Sequence, residues 1–304
     1  FNFITPSMAG GLSLGIVITS CETESVLRDA FALFQETIDQ QKSFFNRGAK
    51  LGPRLVMTDD CLPLRKALAT IWPEAKLLLC QWHLVNSVWR YIHAASHKIE
   101  HRDRQHLIFE FRKLVYSQTK AAYDDQVDSM LNEDEVIAKY ENFIPYLEDV
   151  YLGRCEDWCL YSRIEDHLPT HGQNTNNFVE SSFKLLKDLI LKRQRCYNIC
   201  ELLQILLDDE SSITRQRLLD ISSGRFQQVH LQHSRYKSIH VKILRENVHR
   251  ISDTHFMVKS ETKDDVFYSL DLSGGFGDCC IGSTCAPFKH KAAAAHGYPG
   301  ASTS

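Results

Sequence analysis

The sequence predicts an α/β protein with a small separate module near its C-terminal end. Three observations carry this. Between Arg54 and His93, short apolar runs of strand type alternate with segments whose apolar residues recur at helical spacing. The first of these strands stops on two carboxylates, Asp59 and Asp60, and open α/β sheets place their chemistry at the carboxyl ends of strands. From His255 the period shortens to alternation, the mark of a hairpin, ahead of a cluster of cysteines.

Size and composition bound the function. The 304 residues suffice for one large domain and one small one. A formal net charge of −3 excludes a chain whose whole surface grips DNA, so any nucleic-acid contact must be local. No run of about twenty apolar residues exists, so no membrane-spanning segment is expected. Phe1 is not preceded by a charged-then-apolar leader, so no signal peptide is expected and the chain is expected to begin inside a longer protein. Ten cysteines fall as scattered singles, two C-x-x-x-C pairs and a late cluster, among fourteen histidines. That usage points to reduced thiols and metal rather than to a secreted disulfide framework.

Taken in order, Phe1–Pro6 reads as the end of a strand, Ala9-Gly10-Gly11 as a turn and Leu12–Thr19 as a second strand. Ser20 or Thr23 then caps a helix whose apolar face is Leu27, Phe31, Phe34 and Ile38. Arg54–Thr58 is a strand, and Pro63 sits in the first turn of a helix, where its missing N–H costs nothing. Leu64, Ala67, Leu68 and Ile71 form that helix's face, and Pro73 stops it. Lys76–Leu79 is the next strand, running into Cys80-Gln81-Trp82-His83 and an aromatic-rich helix, Leu84–His93. On these residues alone Cys80 reads equally as a small core residue and His83 as a helix cap.

Residues 97–170 are mostly amphipathic and helical. Cys155 with Cys159, and Cys196 with Cys200, fall on helical faces, where four thiols are either core or zinc ligands. Asn174–Asn177 make a polar turn that caps a long helix with Phe178, Phe183, Leu186 and Ile190 on its apolar face. Glu180 lies in that helix's first turn, where an acid favours the dipole. Lys184, Lys187, Lys192, Arg193 and Arg195 form the one dense basic stretch, suited to DNA phosphates or to a solvated face. A connector follows, then two short strands, His255–Lys259 and Val266–Leu272, and a helix through the alanines 292–295.

Several of these stretches resemble the transposase domain of Mutator-like elements, a branch of the ribonuclease H-like superfamily. The matching pieces are GGLSLGIVITSCETE near the start, Thr58-Asp59, the helix with Ala67, Pro73, Leu79-Cys80-Gln81-Trp82-His83, and Thr175-Asn176-Asn177-Phe178-Val179-Glu180. The resemblance implies a ribonuclease H-like mixed sheet with an all-helical insertion at about 97–170. It implies Asp59 and Glu180 as two members of an acidic triad that binds Mg²⁺ or Mn²⁺ for DNA strand cleavage and transfer, with Cys80 and His83 as family-motif positions on the adjacent strand. The first catalytic Asp of the family stands on a strand upstream of the position of Phe1, and this chain offers no candidate for it. The alternative is a domesticated, catalytically inactive DNA- or protein-binding module.

The C-terminal stretch resembles the SWIM-type zinc module, a small ββα unit. The usual Cys-x-Cys and Cys-x-His ligand pattern places Cys279 and His290 on ligand positions, with Gly277 and Phe288 on the other two. The implied zinc set is therefore rearranged, as Cys279, Cys280, Cys285 and His290, or degenerate and empty. The expected layout is a transposase-like domain over 1–220, a connector over 221–253, the module over 254–296 and a disordered tail over 297–304. DNA is the expected partner, with a protein partner through the zinc module and an oligomer both compatible with it. The expected location is the nucleus.

Overall fold

The computed structural model describes residues 1–7, 10–38, 52–193, 198–223, 245–261, 263, 265–272, 276–279, 282 and 289–298. The fold is mixed α/β, predominantly helical with small sheets. It opens with β1 (Asn2–Ser7) and β2 (Gly10–Ile16), an antiparallel hairpin, followed by α1 (Glu24–Thr37). β3 (Leu55–Thr58), α2 (Leu62–Ile71) and β4 (Lys76–Leu79) come next, with β3 and β4 parallel and paired from Leu55↔Lys76 to Thr58↔Leu79. Parallel strands need a crossover between them, and α2, with Pro63 in its first turn, supplies it.

α3 (Gln81–His93) follows β4 without a loop and leads into the helical part. That part comprises α4 (His101–Val115), α5 (Lys120–Asn132), α6 (Glu135–Ala138), α7 (Phe143–Val150) and α8 (Leu160–Glu165). α9 (Asn177–Leu185) and α10 (Ile199–Ser222) complete the first two-thirds of the chain. Beyond 244 a four-stranded antiparallel sheet, β5 (Val248–Arg250), β6 (His255–Lys259), β7 (Phe267–Asp271) and β8 (Phe276–Gly277), precedes α11 (Lys289–Gly297).

Among the described residues three apolar cores hold these elements. Phe1, Phe3 and Val17 of the hairpin region share one with Leu27 and Phe31 of α1, Leu68 of α2, and Trp72. Phe3 stacks on Phe34 at 4.7 Å and meets Trp72 edge to face at 5.5 Å. The second core lies among the helices, with Val88, Leu107, Phe111, Leu147 and Trp158 fully buried. The third, in the C-terminal unit, joins Val248, Phe256, Val258 and Leu270 to Ala293, Ala294 and Cys279.

Five sequence expectations need correcting. The helix after β4 begins at Gln81, so Cys80 is its N-cap and His83 stands in its first turn, not on a strand. The physical cause is that Cys80 N–H makes the last ladder bond, to Thr58 O at 2.9 Å, while its own carbonyl already accepts the first helical bond from Leu84. β2 ends at Ile16, short of Thr19, because β1 runs out of partners: Phe1 O takes Val17 N–H as the last rung.

Cys155 and Cys159 do not share a helical face. Cys155 lies in a 3-10 stretch, Leu152–Asp157, broken at Arg154 (φ −135°, ψ 36°), and Cys159 is the N-cap of α8. The helix bearing Glu180 is shorter than expected, passing after Leu185 into a π-helical turn, Leu186–Ile190. The C-terminal sheet begins at Val248, inside the expected connector, because Val248–Arg250 pairs with Phe256–Val258. The connector's residues 224–244 lie outside the described residues, as do Arg195, Cys196 and the expected tail beyond Tyr298.

One glycine sets how closely α9 approaches the hairpin. A Cβ on Gly11 would fall 2.7 Å from Ile4 Cγ2 and 3.0 Å from Phe178 Cβ. Gly11→Val is therefore expected to push α9 outward and to cost about 1–3 kcal/mol, the range for overpacking. A urea unfolding midpoint unchanged from wild type would refute this.

Candidate functional site

The site grows from the carboxyl ends of β3 and β4. Thr58 and Leu79 are register partners, so Asp59 and Cys80 leave the sheet side by side. Of the two acids after β3, Asp60 is taken: Arg154 holds it through both guanidinium nitrogens, Nη1 at 2.7 Å from Oδ1 and Nη2 on Oδ2. That pairing, beside the Tyr151 ring, raises the arginine further above its ordinary pKa. Asp59 takes no part in that ion pair.

Asp59 meets two other side chains there. Its Oδ1 accepts a hydrogen bond from Asn176 Nδ2 at 2.6 Å and lies 2.8 Å from His83 Nδ1. The latter contact is short but lies off the line of a hydrogen bond. His83 Nε2 is 3.3 Å from Glu180 Oε1. The imidazole thus stands between two carboxylates that are 121 residues apart in sequence (180 − 59). Side-chain exposures of 51 % for Asp59, 29 % for His83 and 43 % for Glu180 make this an open site, reachable by a large substrate.

What brings Glu180 in is the Asn turn, and the turn is fixed by a buried arginine. Arg163 is completely buried. Its Nη1 donates to Asn174 Oδ1 at 2.7 Å and its Nη2 to Leu79 O, at the end of β4, at 2.8 Å. Burial pushes its pKa down to about 10, so it still carries charge at neutral pH. Asn174 O in turn accepts Gln81 N–H at 3.0 Å, docking the turn on the first residue of α3. Gln81, also buried, donates to Trp158 O at 2.9 Å and so ties α3 to the helical core. None of these ties was visible in the sequence. An arginine on an amphipathic helix reads as solvent-facing, and Asn176 reads as part of a polar turn and of the motif that ends on Glu180, without a partner for its side chain.

Two carboxylates with an interposed imidazole offer oxygen and nitrogen donors to a divalent cation, and their donor chemistry suits Mg²⁺ or, with His83, Mn²⁺. They do not close to a three-donor cluster. Among the described residues the group with three ligand atoms within 4.8 Å of one another is His106, Glu110 and Asp134, in the helical part. Those donors already have protein partners. Asp134 caps α6 through Val136 and Ile137 N–H and contacts His106 at 2.6 Å, and Glu110 accepts from Lys113 and Gln126. We read that cluster as a tie between helices.

The remaining expected site residues are dispersed. Cys80 is buried in the core beneath the site. Cys159 is a core thiol that donates to Leu114 O at 3.1 Å, and burial pushes its pKa up to about 12. Lys184 and Lys187 lie on or just past α9, the latter over the Phe183 ring; Arg193 pairs with Asp188 at 3.0 Å.

In the C-terminal unit, Cys279 and His290 are both buried, with exposures of 8 % and 4 %. Gly282 N–H donates to Cys279 Sγ at 3.3 Å, and His290 stacks on Tyr268 at 4.6 Å. Burial, reinforced by neighbouring Lys289, lowers the His290 pKa to about 4, which keeps the imidazole in the neutral form that binds metals. Cys280 and Cys285 lie outside the described residues.

The His290 shift has a stability consequence. Its folded pKa is depressed below the ordinary value of about 6.5, so the unfolded state binds the proton more readily. In metal-free protein the C-terminal unit should keep full stability above about pH 6.5 and lose on the order of 2 kcal/mol as pH falls toward 4. Thermal melts of metal-free protein at pH 7 and 4.5 read this, with His290→Gln expected to flatten the difference. No family model matches this chain, and no curated protein matches it.

Proposed function

We propose that the chain is a transposase-type domain of the Mutator-like kind, with a ribonuclease H-like sheet, that engages DNA at a partial phosphoryl-transfer centre. The observation that carries this reading is the meeting of Asp59 and Glu180 on the two nitrogens of one imidazole, at the carboxyl ends of β3 and β4. Carboxylates that contribute no core packing and are drawn together from distant segments serve chemistry or cation binding more readily than folding. Exposed Trp82, edge to face with His83 at 4.8 Å, gives the site a flat apolar surface suited to a nucleobase.

Divalent ions, when bound, supply activation of the attacking oxygen and stabilisation of the leaving one. The chain's own residues do the rest. Asp59 and Glu180 supply negative charge to hold cations, Asn176 fixes the Asp59 carboxylate, and His83 sets the spacing between the two acids. Lys184, Lys187 and Lys192 supply local positive charge for a phosphate backbone, in a stretch where the overall acidic balance is reversed.

Two carboxylates hold two ions poorly, so this chain is expected to bind duplex DNA without cutting it. The test is anisotropy with a short labelled duplex, alongside a Mg²⁺ and Mn²⁺ cleavage assay. Lys184→Glu with Lys187→Glu should weaken binding about tenfold and lower the salt slope by roughly one per lysine. Robust cleavage that Asp59→Ala abolishes would overturn the non-cutting part, and absent DNA binding would overturn the reading itself. The second reading, a domesticated DNA- or protein-binding module that uses no cation, is favoured by the contacts that both carboxylates make with His83.

The C-terminal unit we read as a SWIM-like zinc module that offers a protein contact, in a protein of the nucleus. Buried, neutral His290 and buried Cys279 in one small core support it. Native mass spectrometry should find one zinc per chain, released on Cys279→Ser.

A further inference from the structure

We propose that the site takes an unpaired strand of DNA, whose bases stack on Trp82 and Trp89 as it leaves the centre along α3. This rests on the phosphoryl-transfer reading of the site and names the form of DNA that the site engages.

α3 buries Gln81, Leu84, Val88 and Ile92. Trp82 and Trp89 fall on its other side and are exposed at 53 % and 47 %. Seven residues make two turns, so the two indoles share a bearing and stand about 10.5 Å apart along the axis. His93, one turn further on, stacks on Trp89 at 4.0 Å with 23° between the rings, and its Nδ1 donates to Trp89 O at 2.9 Å. Neither tryptophan belongs to an apolar core among the described residues. Two large rings left in water at a two-turn interval make a platform, not packing.

Charge says what lies on it. Residues 81–99 contain no Asp or Glu, in a chain whose formal net charge is −3. Arg90 and Lys98 are exposed there, and neither enters an ion pair among the described residues. Arg90 follows His83 by seven positions, so it has the same bearing as that imidazole, two turns further from the centre. Single strands are held by aromatic rings that stack their bases beside a basic track for the backbone. A duplex cannot use the platform, because its bases stack on one another and present only their edges. A protein partner would cover the indoles but has no need of an acid-free frame.

The two helices divide the substrate between them. α9 meets α3 at the centre, where Glu180 approaches His83, so the duplex lies toward Lys184 and Lys187 and the unpaired strand toward Trp89. At the duplex spacing of about 3.4 Å per nucleotide, three steps separate the tryptophans, and fewer in an extended strand. Four unpaired nucleotides therefore reach both.

The test titrates the full chain, by anisotropy, into a labelled blunt duplex and into the same duplex with a four-thymidine overhang at the 3′ or the 5′ end. Overhangs of abasic units are the control, since they keep the phosphates and lack the bases. At least one thymidine overhang should bind about tenfold tighter than the blunt duplex, and its abasic counterpart no more than about twofold tighter. Trp89→Ala should leave blunt-duplex affinity unchanged and remove most of the overhang gain, and Trp89→Phe should restore part of it. Trp72 and Trp158, the other two tryptophans, are buried. Quenching of tryptophan emission by the overhang therefore reports on Trp82 and Trp89, and Trp89→Ala should diminish it. Equal affinity for blunt and overhanging duplexes overturns the proposal and leaves the phosphoryl-transfer reading standing. The same holds for an abasic overhang as good as thymidine, or a gain that survives Trp89→Ala. Failure to bind any of these DNAs, the blunt duplex included, takes that reading down as well.

Discussion

Replacing Arg163 with alanine is expected to destabilise the protein by about 3–5 kcal/mol and to loosen the turn that delivers Glu180. Arg163 is fully buried, and no carboxylate pairs with it among the described residues. Its charge is held by hydrogen bonds to Leu79 O and Asn174 Oδ1. Truncation removes this donor from the buried Leu79 carbonyl, at about 1–3 kcal/mol, releases the half-buried Asn174 side chain, and opens a cavity besides. Against this stands relief from burying a charge whose pKa is pushed down to about 10. Arg163→Met keeps the apolar stem and gains the same relief, so it should lose less stability than alanine while losing the turn just as fully. Urea melts combined with hydrogen exchange over 174–176 separate the two effects. Equal exchange in wild type and Arg163→Met would show that the arginine does not hold the turn.

The second large effect is expected at Trp158. Its ring is fully buried, with Phe111 at 5.9 Å and Tyr123 at 6.0 Å between centroids, and its indole N–H donates to Tyr151 O at 3.1 Å. Trp158→Ala should cost about 3–5 kcal/mol, the range for emptying an aromatic site. The loss should reach the site as well, because Trp158 O anchors Gln81, the first residue of α3, two before His83. Trp158→Phe retains much of the ring and should recover more than half of the loss. A Trp158→Ala melt within about 1 kcal/mol of wild type would place the helical core elsewhere.

Much of this arrangement was legible in the sequence because it rests on local rules. Leu64, Ala67, Leu68 and Ile71 lie on one helical face, Pro63 and Pro73 punctuate it, and β3 and β4 fall within a residue of the expected ranges. The Asn turn ahead of Glu180 was equally plain, since polar turn residues before an apolar periodic run mark a helix start. The position of His83 was not. Whether β4 continues past Leu79 depends on one ladder bond, from Cys80 N–H to Thr58 O, and ladder register is a long-range property. Arg163 was illegible for a related reason. A charged residue on an amphipathic helix reads as solvent-facing unless the acceptors that bury it are known, and these come from residues 11 and 84 positions away. Cys155 is parted from Cys159 by the end of the 3-10 stretch at Asp157 and by the extended backbone of Cys159 itself, which caps α8. β5 escaped notice because three residues are too few to show alternation.

The central claim is that Asp59 and Glu180 act on one cation site despite standing on different elements. Manganese binding to the full chain, followed by electron paramagnetic resonance of free Mn²⁺, tests it most directly. The account predicts saturable binding that Asp59→Asn and Glu180→Gln each weaken about 10–100-fold. The double variant should show no measurable site, and wild type should bind at a single stoichiometry that both carboxylates share. Binding that survives both substitutions unchanged would contradict it, as would two ions per chain of which each single substitution removes one, which is the behaviour of two carboxylates belonging to separate sites.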